Sequence, residues 1–390
     1  MTFAPFSFAS VADIHLEWGG ARRLGALLAP RFTARRACLV TDGGLVAAGM
    51  IGPVRESLAE AGFVTAVFDG VVADPPEQVV EDCLALARAE RAGIVIGLGG
   101  GSSLDVAKLV AVLAQSPQSL AQIYGIGHVQ GGRLPLVLVP TTAGTGSEVT
   151  NISIITTGIT PGESTKTGVV SAQLYADFVL LDAQLTLSVP PLHTAATGID
   201  AMVHAIEAYS SRLRKNPMSD ALAREALRLL SGNLIAACTD GGDPEARENM
   251  LLGATLAGQA FSNAPVAAVH ALAYPLGEHY HLPHGLTNAL MLGPVLRHNA
   301  RVAAPLYAEL AEVVGAPGHG DAQARATQFV SFMQGLTERS GAPRRLRDVG
   351  VTESSLPMLA RAAMKHGRLL VNNPVEVTEA DALAFYRAAY

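Results

Sequence analysis

Between residues 37 and 139 the chain repeats one pattern, a short run of apolar residues followed by a helix-type stretch, and this restricts its fold more than any other feature. Ala37–Thr41 (ACLVT) reads as a buried strand, followed by Asp42-Gly43-Gly44 and an amphipathic stretch to Ala61. Val64–Phe68 is a second strand, and Pro75-Pro76 opens a helix to Arg91 with Val79, Val80, Cys83, Leu84 and Leu86 as its apolar positions. Gly93–Leu98 and Leu134–Val139 supply a third and a fourth strand. A strand that is apolar at every position is covered on both faces. Such strands separated by helices predict a parallel, Rossmann-like sheet whose ligands sit at the carboxyl ends. After Pro190-Pro191 helical patterns take over (Asp220–Leu230, Pro244–Phe261, Ala322–Ser340, Glu376–Ala389) and strand signals almost vanish. The expectation is an α/β domain over residues 1–190 and an all-α domain over residues 191–390.

Composition narrows the class. With 49% hydrophobic and 16% charged residues in 390, the chain can bury large cores and is not a disordered segment. Apolar stretches are broken by charges, Gly or Pro before the roughly 20 residues a membrane span needs. Met1–Ser10 lacks the basic start and apolar core of a signal peptide. Cys38, Cys83 and Cys238 are odd in number and far apart, which is neither a disulfide framework nor a zinc-knuckle spacing, so a cytoplasmic location is expected. A net charge of −6 without a basic block argues against nucleic acid.

Two loops suggest a dinucleotide. Gly99-Gly100-Gly101-Ser102-Ser103 follows the third strand and precedes a helix. Glycines there let the backbone approach a ligand, and the helix start offers free N–H groups to a pyrophosphate, with Ser102 as a candidate cap. Taken alone, the triplet is equally well a tight strand-to-helix turn. Pro140–Ser147 (PTTAGTGS), rich in hydroxyls and glycine, follows the fourth strand, so the two loops could bracket one ligand. Neither is a Walker motif or a GxGxxG fingerprint, and Lys108 lies too far past the glycines to serve as a P-loop lysine. Asp42, ending the first strand, either reads the ribose hydroxyls or caps the next turn.

A second constellation suggests a metal. Asp200 and His204 lie four apart in an apolar helical segment, hence on one face. His270 is placed in an Ala/Val-rich helix and His284 just after Pro283, with Pro275 and Pro283 interrupting the region so that His284 begins a new helix. One carboxylate and three imidazoles suit Fe, Zn or Ni better than Ca or Mg. Scattered, satisfied core histidines are the competing reading, and the shared face of Asp200 and His204 weighs against it. His281 is a candidate for lining the site and His279 for the surface. No partner is legible for His15, His128, His193, His298, His319 or His366.

Together these segments resemble the iron-containing (group III) alcohol dehydrogenases, whose fold is dehydroquinate synthase-like. The likeness covers nearly the whole chain: GGGSSLDVAK at 99–108, PTTAGTGSEVT at 140–150, TGIDAMVHAIEAY at 197–209, HALAYPLGEHYHLPHG at 270–285 and NNP at 372–374. The resemblance implies a divalent metal, foremost Fe2+ with Zn2+ or Ni2+ also accepted, on Asp200, His204, His270 and His284. It implies NAD on Gly99, Gly100, Gly101, Ser102 and Ser103, with Thr141, Thr142, Thr145, Ser147, Asn151 and Lys166 lining the rest of its site. Asp42 would then read the ribose, and Leu185 to Val189 would lie near the adenine. A homodimer or larger homo-oligomer is also implied. One position departs from the family, where many members carry a second histidine four residues after the third ligand. Here that position is Tyr274, which with His281 is a candidate catalytic residue.

The implied reaction moves a hydride between NAD(H) and a small, uncharged primary alcohol or aldehyde. Relatives of the same fold that act on anions need cations: dehydroquinate synthase-like lyases, maleylacetate reductases and, less strictly, hydroxyacid–oxoacid transhydrogenases. Between Arg247 and Arg297 there is no Lys or Arg, whereas Phe261, Val266, Val269, Leu272 and Tyr274 offer an apolar wall.

Overall fold

The computed structural model describes residues 5–158 and 165–390. Residues 1–4, part of the stretch read for a leader, lie outside the described residues, as do 159–164. The chain divides into two compact units. One comprises Ser10–Thr142 and Gly146–Ser188; the other is Val189–Tyr390 with Ala143–Thr145 and the strip before Ser10.

In the first unit the described strands are β1 (Ile14–Leu16), β2 (Arg36–Asp42), β3 (Val64–Val71), β4 (Ile94–Gly99), β5 (Gly125–Ile126), β6 (Leu136–Pro140), β7 (Ile152–Thr157), β8 (Thr165–Val170) and β9 (Phe178–Leu181). Six of them form one parallel sheet in the order β1-β9-β6-β4-β2-β3. Every residue of β4, β6 and β9 is buried, as apolar runs with two covered faces require. Leu39, Ile96, Leu98, Val137, Val139, Phe178 and Leu180 meet Leu24, Leu28 and Leu58 in one core. The four strands read from the sequence are the sheet's centre and one edge. The opposite edge escaped notice because β1 is three residues with only His15 partly buried, and β9 is a run of four. A separate sheet, β5-β8-β7, also went unread, its threonine-rich strands lacking apolar alternation.

Two short connections place the glycine loops. Gly99 and Pro140 are register partners at the carboxyl ends of β4 and β6. Asp42 leads into helix α1 (Gly43–Ala47), and Gly99 leads through Gly100 into α2 (Gly101–Leu113).

In the second unit, helices α3 (Pro191–Ser210), α4 (Pro217–Thr239), α5 (Pro244–Asn263), α6 (Ala268–Tyr280) and α7 (His284–Asn299) carry the core. The first three each begin with proline, whose fixed φ and missing N–H suit a first helical turn. Helix α3 is buried on nearly all sides, as its Ala/Ile/Val/Met content demands, and packs against α4, α5 and α7. Glycine permits this: a Cβ on Gly198 would lie 2.5 Å from Met250 and 2.6 Å from Leu234. A short helix, α8 (Gly367–Leu370), and Glu379–Ala389 follow near the end of the chain.

Pro275 does not break its helix. It costs one backbone hydrogen bond, yet α6 runs on to Tyr280 because its buried face is held against α7. The interruption is at His281, which adopts a left-handed φ of 54°, and at Pro283, which caps α7. Among the described residues no helix is long and apolar enough to cross a membrane.

Candidate metal and dinucleotide sites

Helices α3, α6 and α7 bring four side chains together. The Asp200 Oδ1 atom lies 4.0 Å from His204 Nε2, 3.7 Å from His270 Nε2 and 3.8 Å from His284 Nε2. Two donors bound to one ion at about 2.0–2.2 Å cannot be more than about 4.4 Å apart, and each distance from Asp200 meets that limit; the mutually close group is Asp200, His270 and His284, all within 4.8 Å of one another, with His204 beside it. Asp200 and His204 share a face of α3, and His284 is the first residue of α7. Its approach depends on the next residue: a Cβ on Gly285 would fall 2.4 Å from the Ala196 carbonyl oxygen of α3. Asp200, His204 and His270 are buried, whereas the His284 side chain is 39% exposed and marks the solvent side.

Glu207, one turn beyond His204, determines how His270 is presented. Its Oε2 accepts from His270 Nδ1 (2.7 Å) and Ala267 N (2.8 Å), and its Oε1 accepts from Val269 N (2.7 Å). With Nδ1 committed to Glu207, the His270 ring turns Nε2 toward the Asp200 carboxylate, 3.7 Å from Oδ1. That Nε2 is buried and has no hydrogen-bond partner. A buried ring nitrogen without a hydrogen bond beside a carboxylate is what a cation held by both would satisfy, so the donor set fits a metal ion.

The imidazoles of the site differ in ionisation. Burial pushes the His204 imidazole down to about 3, with Asp200 opposing and the other two imidazoles reinforcing, so it is neutral and ready to coordinate. Burial alone would raise the Asp200 carboxyl, but the three imidazoles and the Asn288 amide outweigh it and hold it below the usual range. His270 is drawn the other way: burial disfavours its charge, but Glu207 and Asp200 raise its pKa overall. Asn288, one turn after His284, donates from Nδ2 to Asp200 Oδ1 (2.5 Å), and its Nδ2 lies 3.2 Å from His284 Nε2.

Rings continue outward from these residues. Phe261 stacks on His204 with centroids 4.3 Å apart. Tyr274 lies 5.7 Å from the His284 ring, and His366, at the start of α8, meets Tyr274 edge-to-face at 5.0 Å. His281 is exposed at the end of α6, as is His279.

The first unit holds the glycine loops. Gly99 has φ 154°, and a Cβ there would lie 2.6 Å from Ser103 Oγ, so only glycine is accommodated. Gly100, not Ser102, is the cap of α2; Ser102 lies inside the first turn and Ser103 is buried. Thr141 N donates to the Gly99 carbonyl (3.0 Å), tying the two loops together, and Thr142 approaches Gly100. Thr145 belongs to the strip that packs with the helical unit, where Gly144 meets Thr197 closely. Asp42 caps α1 through Leu45 N (3.0 Å). Lys166 on β8 pairs with Asp74 at 2.5 Å, and Asn151 accepts from Ser171 N (3.0 Å). Leu185 is buried, and the Val189 carbonyl accepts from Arg247 (3.3 Å).

Lys108, set aside in the sequence, is buried beneath the second loop. Its Nζ donates to Ser147 Oγ (2.8 Å), Thr150 Oγ1 (3.1 Å) and the Ile152 carbonyl (2.7 Å), and it pairs with Asp105 at 3.6 Å. Ser147 in turn donates to Asp105 Oδ1 (2.5 Å), so its hydroxyl is committed to anchoring the loop.

Residues 12–183 match the profile of the iron-containing alcohol dehydrogenases, and residues 194–390 match the C-terminal profile of the Fe-containing alcohol dehydrogenase family. The chain belongs to the iron-containing alcohol dehydrogenase family. Among its relatives is long-chain-alcohol dehydrogenase 1 of Geobacillus thermodenitrificans, 40% identical over 380 residues, covering 96% of this chain and 94% of the relative. A solved 1,3-propanediol oxidoreductase superposes with a TM-score of 0.95 at 35% identity over 99% of this chain and all of that one. A sulfoacetaldehyde reductase from Bifidobacterium kashiwanohense, solved with NAD+, superposes with a TM-score of 0.89 at 28% identity over 99% of both chains. The protein is therefore an oxidoreductase of this family, with its family's parallel sheet and helical region.

Proposed function

We propose that the protein is an NAD-linked dehydrogenase acting on small, uncharged primary alcohols or their aldehydes, with one divalent metal, foremost Fe2+, held by Asp200, His204, His270 and His284. The observation that carries the metal assignment is the buried His270 Nε2, oriented by Glu207 toward Asp200 and without a hydrogen-bond partner. When bound, the ion supplies a Lewis acid for the substrate oxygen, and NAD supplies the hydride acceptor.

Within that chemistry the chain's own groups orient and shield. Glu207 holds the His270 tautomer, and Asn288 holds the Asp200 carboxylate. Phe261 covers one face of His204 and keeps water from it. Tyr274 stands beside the exposed ligand His284, where its ring narrows the approach; this makes it a wall of the substrate site. His281, exposed beyond the end of α6, receives no catalytic part in this reading. The dinucleotide is assigned to Gly99–Ser103 and Thr141-Thr142 at the carboxyl ends of β4 and β6, with Asp42 at the neighbouring strand end. NAD is also the ligand of the solved sulfoacetaldehyde reductase. Substrate neutrality rests on the stretch between Arg247 and Arg297, which holds no Lys or Arg. Arg247 itself is buried and committed to Gly241, Thr194 and Val189. An anion would have to be desolvated there unpaired, at a cost of several kcal/mol. Three free, buried thiols suit a reducing cytoplasm.

The test is absorbance at the reduced-nicotinamide band when metal-loaded protein meets NAD+ and equal-length panels of alcohols, hydroxy acids and dicarboxylates. Alcohols should be preferred. A preference for hydroxy acids or dicarboxylates overturns the substrate class, and no turnover of any panel overturns the activity.

A further inference from the structure

We propose that His366 is a specificity-determining residue that acts through Tyr274, bracing the Tyr274 ring so that it selects which alcohols reach the metal site; this rests on the function proposed above. The two residues are distant in sequence and meet only because α8 packs against α6. Tyr274 is held between two rings: His284 at 5.7 Å with planes tilted by 36°, and His366 at 5.0 Å with planes at 77°. The row Phe261, His204, His270, His284, Tyr274, His366 is continuous, with successive centroids 4.3, 4.7, 5.4, 5.7 and 5.0 Å apart. Its middle members are the proposed ligands, so the outer pair borders the one ligand that is substantially exposed.

An edge-to-face contact fixes ring orientation, because tilting either ring loses the favourable alignment of its edge with the other's face. His366 is half-buried, and burial together with the Arg368 and Lys365 charges lowers its pKa, so near neutral pH it meets Tyr274 as a neutral ring. Loss of that contact relaxes one constraint on the orientation of the Tyr274 ring, and with it the width of the approach beside His284. The effect falls on substrate fit, hence on KM, rather than on the chemical step.

The experiment uses metal-loaded enzyme with saturating NAD+ and primary alcohols from ethanol to octan-1-ol. The variants are His366→Ala, His366→Leu (bulk without an aromatic edge), His366→Phe (edge without nitrogens), Tyr274→Ala and Tyr274→Ala/His366→Ala. Metal content and melting temperature are measured on each. His366→Ala and His366→Leu should change the octanol-to-ethanol ratio of kcat/KM by about fivefold, mostly through KM. His366→Phe should keep that ratio within about twofold of wild type, and the double variant should match Tyr274→Ala. An unchanged ratio in His366→Leu, a shift in His366→Phe as large as in His366→Leu, or a further shift on the Tyr274→Ala background overturns the proposal alone. A wild-type enzyme that turns over none of these alcohols overturns the proposed function and this inference with it.

Discussion

Replacing Glu207 should weaken metal binding in steps that follow from its three hydrogen bonds. The carboxylate is buried and accepts from Ala267 N, Val269 N and His270 Nδ1 at 2.7–2.8 Å. Glutamine keeps the shape but has one acceptor oxygen. Placed toward Ala267 and His270, that oxygen preserves two bonds and leaves the Val269 N–H facing an NH2 group. One buried donor left unsatisfied costs about 1–3 kcal/mol of fold stability. The loss of negative charge makes Nε2 of His270 a weaker donor, so metal affinity should fall about tenfold. Glu207→Ala orphans all three donors and frees the ring to turn. There the loss should reach about 100-fold in affinity and roughly 3–5 kcal/mol in stability. Competition titration of metal-free protein against a chromophoric chelator with Zn2+ or Co2+ reads the first quantity, and urea unfolding of the metal-free protein reads the second. If both variants bind metal within about twofold of wild type while losing stability, Glu207 is a structural anchor only, and the reasoning from the His270 tautomer fails.

The metal-free protein should lose stability on acidification through His204. Its folded pKa of about 3 lies below the ordinary value of 6.5, so the unfolded chain binds a proton that the fold refuses between those values. Relative to His204→Gln, wild type should lose about 2 kcal/mol between pH 6.5 and 5, read by urea unfolding, and parallel profiles would contradict it. Asp42→Gly should raise kcat/KM for NADP relative to NAD by at least about tenfold by removing a carboxylate from the ribose end; an unmoved ratio dismisses Asp42 as the cofactor reader. Lys108→Met should weaken NAD binding, measured calorimetrically, by about tenfold or more while leaving metal content intact. The reason is that it removes the ammonium joining Ser147, Thr150 and the Ile152 carbonyl beneath the loop and takes the cation from beside buried Asp105. Wild-type NAD affinity in that variant would mean the loop holds its shape without the lysine.

What the sequence disclosed and what it hid divide along a physical line. A strand covered on both faces must be apolar throughout, so β2, β4 and β6 were legible from their own residues, and the loops at their carboxyl ends followed. Asp200 and His204 were legible because helical spacing alone puts them on one face. His270 and His284 were candidates by residue type and placement, but joining them to Asp200 and His204 as one ligand set needed the resemblance, since nothing local relates two helix residues separated by a reversal at His281 and Pro283. Glu207 was half visible: it continues the face of Asp200 and His204, and a third polar residue on the stripe of a core helix calls for a partner. Its partners lie about the start of α6, however, and only the fold supplies them. Lys108 went unassigned, since its spacing from the glycines excludes a P-loop lysine but is silent about one buried beneath the other loop. Tyr274 could be recognised as a departure from the family because it stands inside a motif, but its neighbour His366 stands in none. A substitution that removes a histidine from a metal-site wall changes what the wall must be braced against. The brace can come from any segment that the fold carries there, and in the proposed reading it is His366, at the start of α8, whose ring meets that of Tyr274 edge-to-face. Specificity in such a family can therefore change through residues outside every shared motif, and contact with a departing motif position is the feature by which a structure discloses them.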